Sequence, residues 1–292
     1  MSERADLSGS VVGEYRLVAK LGAGGAGSVY RAMPLAGGRA VAIKLLETRG
    51  SEHIPDRFER EARALNGLQH PHLIRLLDFG LHENAHYLVM ELLEGLPLDR
   101  LLAQRPLPAA LAFELGLGIV AGLAHAHAHG VLHRDLKPGN VFIALLGDGT
   151  MHPKLLDFGL ARFMDRDRWG KSETLTEEGA VIGTPTYMPP EQGFGARADA
   201  RSDVYSAGVV LYELIAARPP FVREGRASLI RAHALDEVPP IGELRKDLDV
   251  EPALEAVIAR ALAKDPKDRF QDAGEMLRAL QEVPDPPARI RR

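Results

Sequence analysis

Residues 133–140 read HRDLKPGN. Pro138 and Gly139 exclude a helix through the middle of this stretch, because proline removes a backbone donor and glycine is a poor helix former. One acid, Asp135, stands between two cations, Arg134 and Lys137, and an amide, Asn140, closes the run. Two readings are open. The stretch is a salt-bridged surface turn, or it is a rigid loop that presents a carboxylate for chemistry. The rest of the chain decides between them.

The chain has 292 residues, of which 46% are hydrophobic and 26% charged, with a formal net charge of −4. That is the composition of a folded globular protein with room for one large domain or two lobes. No basic stripe stands out, which argues against nucleic acid as a partner. The absence of cysteine excludes disulfides, thiolate nucleophiles and zinc–thiolate sites, and is compatible with the cytoplasm. The start, MSERADLSGS, has no apolar core of the signal-peptide kind. The most apolar runs, 113–130 and 204–217, read as interrupted or too short for a membrane span and hence as buried helices.

Residues 1–12 read as a flexible leader. From Tyr15 to about Leu46 the pattern is strand-like with glycine-rich breaks at 22–27 and 36–38, and strands are also expected at 74–80 and 86–93. A helix is expected over 56–68, with Phe58, Glu61, Leu65 and Leu68 on one face. After Gly95 the character changes: helix over 98–129, short strands over 141–157 about a turn at 147–149, and mostly helix over 202–280. The run SDVYSAGVVLYELIAARPPF (202–221) is apolar on almost every side, as befits a helix in the middle of a lobe. Ser202 is its expected N-cap and the double proline its expected stop. The predicted class is α+β, with a small antiparallel β-sheet lobe carrying one main helix (13–93), a larger mainly helical lobe (94–282) and a basic exposed tail (283–292).

Three further stretches carry chemistry. LGAGGAGSVY holds Gly22, Gly24 and Gly27 in a G-x-G-x-x-G pattern. A dinucleotide site would need a helix directly after the glycines, whereas SVYRA reads as a strand. Strand, glycine loop and strand suit a phosphate lid, or simply a surface hairpin. In AVAIKLL, Lys44 falls on a half-buried strand and needs a counter-charge; Glu61, facing inward on the 56–68 helix, is the candidate, with an ordinary rim ion pair as the alternative. In KLLDFGLA, Asp157 follows an apolar strand and is either a turn residue or a metal ligand.

Taken in order, these elements, with HRDLKPGN, GTPTYMPPE (183–191), SDVYSAGVVLYEL and KDPKDRF (264–270), resemble the protein-kinase family over about residues 15–280. The flavour of HPHLIRLLDFG and YLVMELLEG is similar to the eukaryotic-like serine/threonine kinases of bacteria. The resemblance implies the bilobal kinase fold and an ATP-dependent enzyme that uses Mg²⁺, or Mn²⁺ in its place, to phosphorylate serine or threonine of protein substrates, its own activation loop included. It implies that Asp135 takes the substrate's proton, that Lys137 faces the transferring phosphate, and that Asn140 and Asp157 hold the metal. Lys44, braced by Glu61, binds the α- and β-phosphates under the lid formed by Leu21, Gly22, Gly24 and Gly27. Adenine lies against Val29, Ala42 and Phe142, with Glu91 and Leu93 at the hinge and Met90 as gatekeeper. Asp203 braces the catalytic loop, Arg269 pairs with Glu191, and Thr184 contacts the catalytic acid and lysine. Arg134 receives a phosphate from the activation segment, where Ser172, Thr174 and Thr176 are the candidate sites. Departures from the family pattern are Ala26 at the lid tip and Pro189 before the closing Pro-Glu. Homodimers for trans-autophosphorylation are expected, with no membrane segment in this chain and a cytoplasmic location, as a free protein or as part of a longer anchored chain. The rivals are a pseudokinase scaffold, against which the three intact catalytic groups argue, and a small-molecule kinase, against which the peptide-docking segment argues. His125 and His129 have an i, i+4 metal-binding spacing but no evident third ligand.

Overall fold

The computed structural model describes residues 6–24, 27–46, 59, 62–83, 85–158 and 185–284, and the backbone of 288–290. The fold is α+β, in two compact units. The first holds the described residues through Gln69 and Ile74–Glu94; the second holds His70–Leu73, Gly95–Phe158 and the described residues from Pro185 onward.

The first unit is a six-stranded antiparallel sheet in the order β1-β2-β3-β4-β6-β5. Its strands are β1 (Val11–Val12), β2 (Tyr15–Gly24), β3 (Gly27–Pro34), β4 (Val41–Leu46), β5 (Leu76–His82) and β6 (Ala85–Glu91). Alternation sets its two faces. Leu17, Tyr30, Ala32, Val41, Ile43, Tyr87 and Val89 form one core. Leu46, Leu76 and Leu88 lie on the other, covered by Ala62 and Leu65 from the helical residues 62–66. β5 starts and ends two residues later than the alternation suggested, running into a hairpin where Glu83 takes φ +53°. Residues 6–12, read as a leader, are tied to this sheet: Leu7 N–H donates to Tyr30 Oη (3.3 Å), Gly9 N–H to Leu17 O (2.8 Å) and Leu17 N–H to Ser10 O (2.9 Å).

The second unit is built on helices α1 (Leu98–Leu102), α2 (Ala109–Ala128), α3 (Pro190–Gly193), α4 (Ala200–Ala216), α5 (Arg226–Leu235), α6 (Ile241–Leu244), α7 (Pro252–Ala261) and α8 (Ala273–Gln281). A three-stranded sheet, β7 (Gly95–Pro97), β8 (Val141–Leu145) and β9 (Met151–Leu155), carries the site. α4 is the central helix expected from its all-round apolarity: α2, α6, α7 and α8 all pack on it. Its N-cap is Asp199, whose carboxylate accepts from Arg201 N–H (2.9 Å); Ser202 sits three residues in, where its Oγ accepts from Asp199 N–H (3.3 Å) to complete a capping box. It stops at Ala216 because Ala217 adopts φ +60°, before the double proline is reached.

The helix expected over 98–129 is two helices, α1 and α2, and α2 by length and composition alone could cross a membrane, though half of it is buried. Its glycines do not break it, because they are contact points. A Cβ at Gly116 would lie 2.4 Å from Leu211 of α4, and one at Gly118 would lie 2.7 Å from both His72 and Pro153. Residues 288–290, within the stretch read as an exposed tail, pair as β11 with β10 (Leu248–Val250).

Candidate active site

In the first unit, the register places the expected nucleotide residues together. Lys44 lies opposite Val29 on one side and Leu88 on the other, and Ala42 lies opposite Met90. Directly paired residues share a face, so Val29, Ala42, Lys44 and Met90 line one side of the sheet. Lys44 is buried there. The glycine stretch is the β2–β3 hairpin, with Gly22 opposite Val29 and Gly24 opposite Gly27, and Leu21 exposed on β2. Gly27 has a structural reason of its own. Its φ is +144° and a Cβ would fall 1.9 Å from Leu45 O, so no other residue fits. At the end of β6, Glu91 exchanges two bonds with Arg75: its N–H donates to Arg75 O (3.1 Å) and its Oε1 accepts from Arg75 N–H (3.0 Å). Leu93 follows just before the unit ends at Glu94.

In the second unit, HRDLKPGN forms a loop closed by a 3₁₀ turn over Pro138–Asn140. It is not a surface turn. Asp203 of α4, its side chain 2% exposed, accepts three hydrogen bonds: from His133 N–H (2.6 Å), Arg134 N–H (2.7 Å) and His127 Nε2–H (3.1 Å). His127 Nδ1 in turn accepts from Ala273 N–H (3.1 Å), so the proton of the neutral ring is on Nε2, facing the carboxylate. This brace holds Arg134 in the left-handed region at φ +65°. A non-glycine residue there costs about 1–3 kcal/mol and persists only where its surroundings over-determine it.

The strain aims Asp135. Its Oδ2 accepts from Lys137 Nζ (2.7 Å) and Asn140 Nδ2 (3.0 Å), and its backbone carbonyl accepts from the same amide (2.7 Å). Its side chain remains 44% exposed, so the carboxylate is accessible from solvent. The Asn140 amide nitrogen is spent on Asp135, which leaves its side-chain oxygen for another partner. Asn140 O accepts from Leu156 N–H (2.8 Å), and His133 Nε2–H donates to Leu156 O (2.9 Å). Through these two bonds the loop fixes the residue before Asp157, which is itself left-handed at φ +53°. Two oxygen donors, an amide and a carboxylate, thus come from segments bonded to one another, and hard oxygen ligands are what Mg²⁺ takes. Phe142 sits on β8 opposite Lys154 and Pro97.

Glu191 and Arg269 form the predicted pair, bidentate at 2.9 and 2.9 Å. Every N–H of the fully buried guanidinium is used, the others going to the carbonyls of Ala263, Arg201 and Lys264. Burial by itself would raise the Glu191 carboxyl, but hydrogen bonds from Arg269 and Ser202 outweigh it and hold the group below its usual range.

Sequence reasoning missed three participants. His133 is fully buried and joins the loop to Leu156; Ser202 Oγ donates to Glu191 Oε1 (2.7 Å); Tyr187 Oη donates to Glu213 Oε2 (2.6 Å). Each lay inside a quoted motif, yet its role depends on a partner distant in sequence. Glu61, Thr184, Ser172, Thr174, Thr176 and Ala26 lie outside the described residues.

The protein kinase domain model matches residues 15–281. The serine/threonine-protein kinase pkn3 of Myxococcus xanthus is 38% identical over 274 residues, covering 92% of this chain and 50% of that protein. PrkC of Bacillus subtilis is 35% identical over 269 residues, 91% of this chain and 40% of that protein. Among solved structures, the PknI kinase domain of Mycobacterium tuberculosis superposes with a TM-score of 0.72 at 27% identity, covering 95% of this chain and 99% of that one. The chain belongs to the protein kinase family, in its bacterial serine/threonine branch. It spans half or less of the length of these curated relatives.

Proposed function

We propose that the chain is an active protein-serine/threonine kinase that moves the γ-phosphate of ATP to protein hydroxyls. The observation that carries this reading is the loop at Asp135: an accessible carboxylate fixed by Lys137 and Asn140 on a strained backbone that Asp203 holds from beneath. Phosphoryl transfer proceeds through a loose transition state, so positioning and charge stabilisation dominate over base strength. In this reading Asp135 orients the substrate hydroxyl and receives its proton, and Lys137 balances charge on the transferring group. Asn140 and Asp157 hold Mg²⁺ or Mn²⁺, which neutralises the phosphate oxygens. Lys44, with Glu61 as its brace, holds the α- and β-phosphates beneath the lid of Leu21, Gly22, Gly24 and Gly27. Val29, Ala42, Met90, Glu91, Leu93 and Phe142 receive the adenine. Residues 13–93 act as the nucleotide lobe and 94–282 as the substrate lobe. Regulation runs through Arg134, Thr184 and phosphorylation of Ser172, Thr174 or Thr176, in trans between two copies, in the ATP-bearing cytoplasm.

The test is to incubate the purified chain and its Asp135→Asn variant with ATP and Mg²⁺ and to map phosphosites by peptide mass spectrometry. Phosphate within 160–182 in the wild type alone is expected. ATP binding without phosphate transfer to itself or to generic protein substrates would overturn the reading.

A further inference from the structure

Five histidines outside this site form one continuous chain of ring contacts, two of them stacked and two tilted. His129 and His125, a turn apart on α2, have ring centroids 4.4 Å apart, and His125 lies 5.0 Å from His70. His70 is 5.5 Å from His72, which stacks at 4.2 Å and 18° on His152 of β9. The rings come from three separate stretches of chain, all within the second unit. Residues 70–73 are the informative part. They belong to the second unit, while the chain on either side of them, through Gln69 and from Ile74, belongs to the first.

The segment is held by few bonds. His72 Nδ1–H donates to Pro153 O (2.9 Å), Leu155 N–H donates to His72 O (2.9 Å), and Lys154 Nζ donates to Leu73 O (3.2 Å). Gly118 and Gly122 of α2 give it room, since a Cβ at Gly122 would lie 2.9 Å from His72 O.

The surroundings of His70, His72 and His125 favour the neutral ring. His125 Nε2 is buried with no hydrogen-bond partner, so a proton there would have no acceptor. The charged groups that bear on the rings are the other rings and Lys154, all of them cations when protonated. Burial, then this repulsion, lowers His70 and His125 below the ordinary histidine value; His72 is lowered by burial and by His152 and Lys154 against the opposing effect of its bond to Pro153 O. Among the described residues no three such donors converge on a point that could hold a metal ion, so protons are the relevant ligand.

We propose that the histidine stack is a proton-sensitive clasp: protonation in the mildly acid range separates the rings, frees residues 70–73 from the second unit and slows phosphotransfer. Only the last clause rests on the kinase reading. The test is hydrogen exchange, corrected for intrinsic rates, between pH 7.5 and 5.5. The amide of Leu155, bonded to His72 O, and that of Leu73, bonded to His70 O at 3.0 Å, report the clasp. At least a tenfold loss of protection is expected at both at pH 5.5, with amides inside α4 unchanged. In a His70→Asn/His72→Asn/His125→Leu variant the two amides should keep their protection, because asparagine can reproduce the bonds made by Nδ1 without titrating. Unchanged wild-type protection, or an equal loss in the variant, would overturn the proposal. If the triple variant does not fold, the wild-type profile still decides, and His152→Gln should move the midpoint of the loss to lower pH; an unmoved midpoint counts against the clasp. Autophosphorylation is followed in parallel. An exchange response without phosphotransfer at any pH keeps the clasp and removes the kinase reading; phosphotransfer with no exchange response does the reverse.

Discussion

Replacing Asp203 by asparagine changes one oxygen to an amide and is expected to damage both stability and catalysis. Three donors converge on this carboxylate: His133 N–H at 2.6 Å and His127 Nε2–H at 3.1 Å on Oδ2, and Arg134 N–H at 2.7 Å on Oδ1. The better orientation of the new amide keeps its oxygen at the Oδ2 position and turns its NH₂ toward Arg134 N–H. That leaves a buried donor facing a donor, at a cost of about 1–3 kcal/mol, and the two surviving bonds lose their charge assistance. Arg134 also loses the bond that holds its left-handed φ of +65°. We expect a loss of about 3 kcal/mol in urea unfolding. If Arg134 relaxes, its neighbour Asp135 moves with it, and a displacement of about 1 Å at a reacting group can cost about 100-fold in rate. kcat toward a serine peptide should therefore fall about 100-fold, with KM for ATP changed less than about threefold, since Lys44, the glycine hairpin and the other first-unit residues proposed to bind the nucleotide are untouched. A variant within about 0.5 kcal/mol of wild type and with wild-type kcat would refute the idea that Asp203 sets the catalytic loop.

Arg269→Met removes a guanidinium whose every N–H is used and strands Glu191; breaking such a pair should cost about 3–5 kcal/mol, read as a lowered urea midpoint. Because Glu191 is held below its ordinary value of 4.5, its stabilisation is complete above that pH and is lost as pH falls through the folded value; the variant should lack this part of the acid response. Gly27→Ala places a Cβ 1.9 Å from Leu45 O and should cost about 2 kcal/mol or more while weakening ATP binding, which a thermal melt with and without nucleotide would show. His233 is fully buried against Tyr205, and burial, then the Lys264 charge, push it down to about 4 from 6.5. The unfolded chain takes up this proton first, so stability falls as pH drops from 6.5 toward 4. The loss should be about 2 kcal/mol at pH 5, and His233→Asn should remove it from the pH dependence of the urea midpoint.

The sequence by itself determined the order of the main elements and which polar side chains meet in the HRDLKPGN loop. Alternation in AVAIKLL predicted a strand with Lys44 on its inner face, and the all-round apolarity of 202–216 predicted a central helix. These signals are local, because strand and helix periods show within a few residues. Asp135, Lys137 and Asn140 were legible for the same reason: they lie within six residues of one another, and proline and glycine force a loop between them. Tertiary structure alone decided what each group leans on. Nothing local in HRDLKPGN says that its backbone donors are met by Asp203, nearly seventy residues on, or that Arg134 is strained in consequence. Ser202 looked like an N-cap, but Asp199 takes that place and Ser202 completes the capping box, and nothing local shows that the glycines of α2 lie against Leu211, His72 and Pro153. The histidine stack is the extreme case. HPH and HAHAHG are separate short runs in sequence, and His152 stands alone; only packing of the 70–73 segment between α2 and β9 brings the rings of His70, His72, His125, His129 and His152 into one chain of contacts. Burial and hydrogen-bond partnership depend on distant chain, so they are written in the fold and not in the spacing.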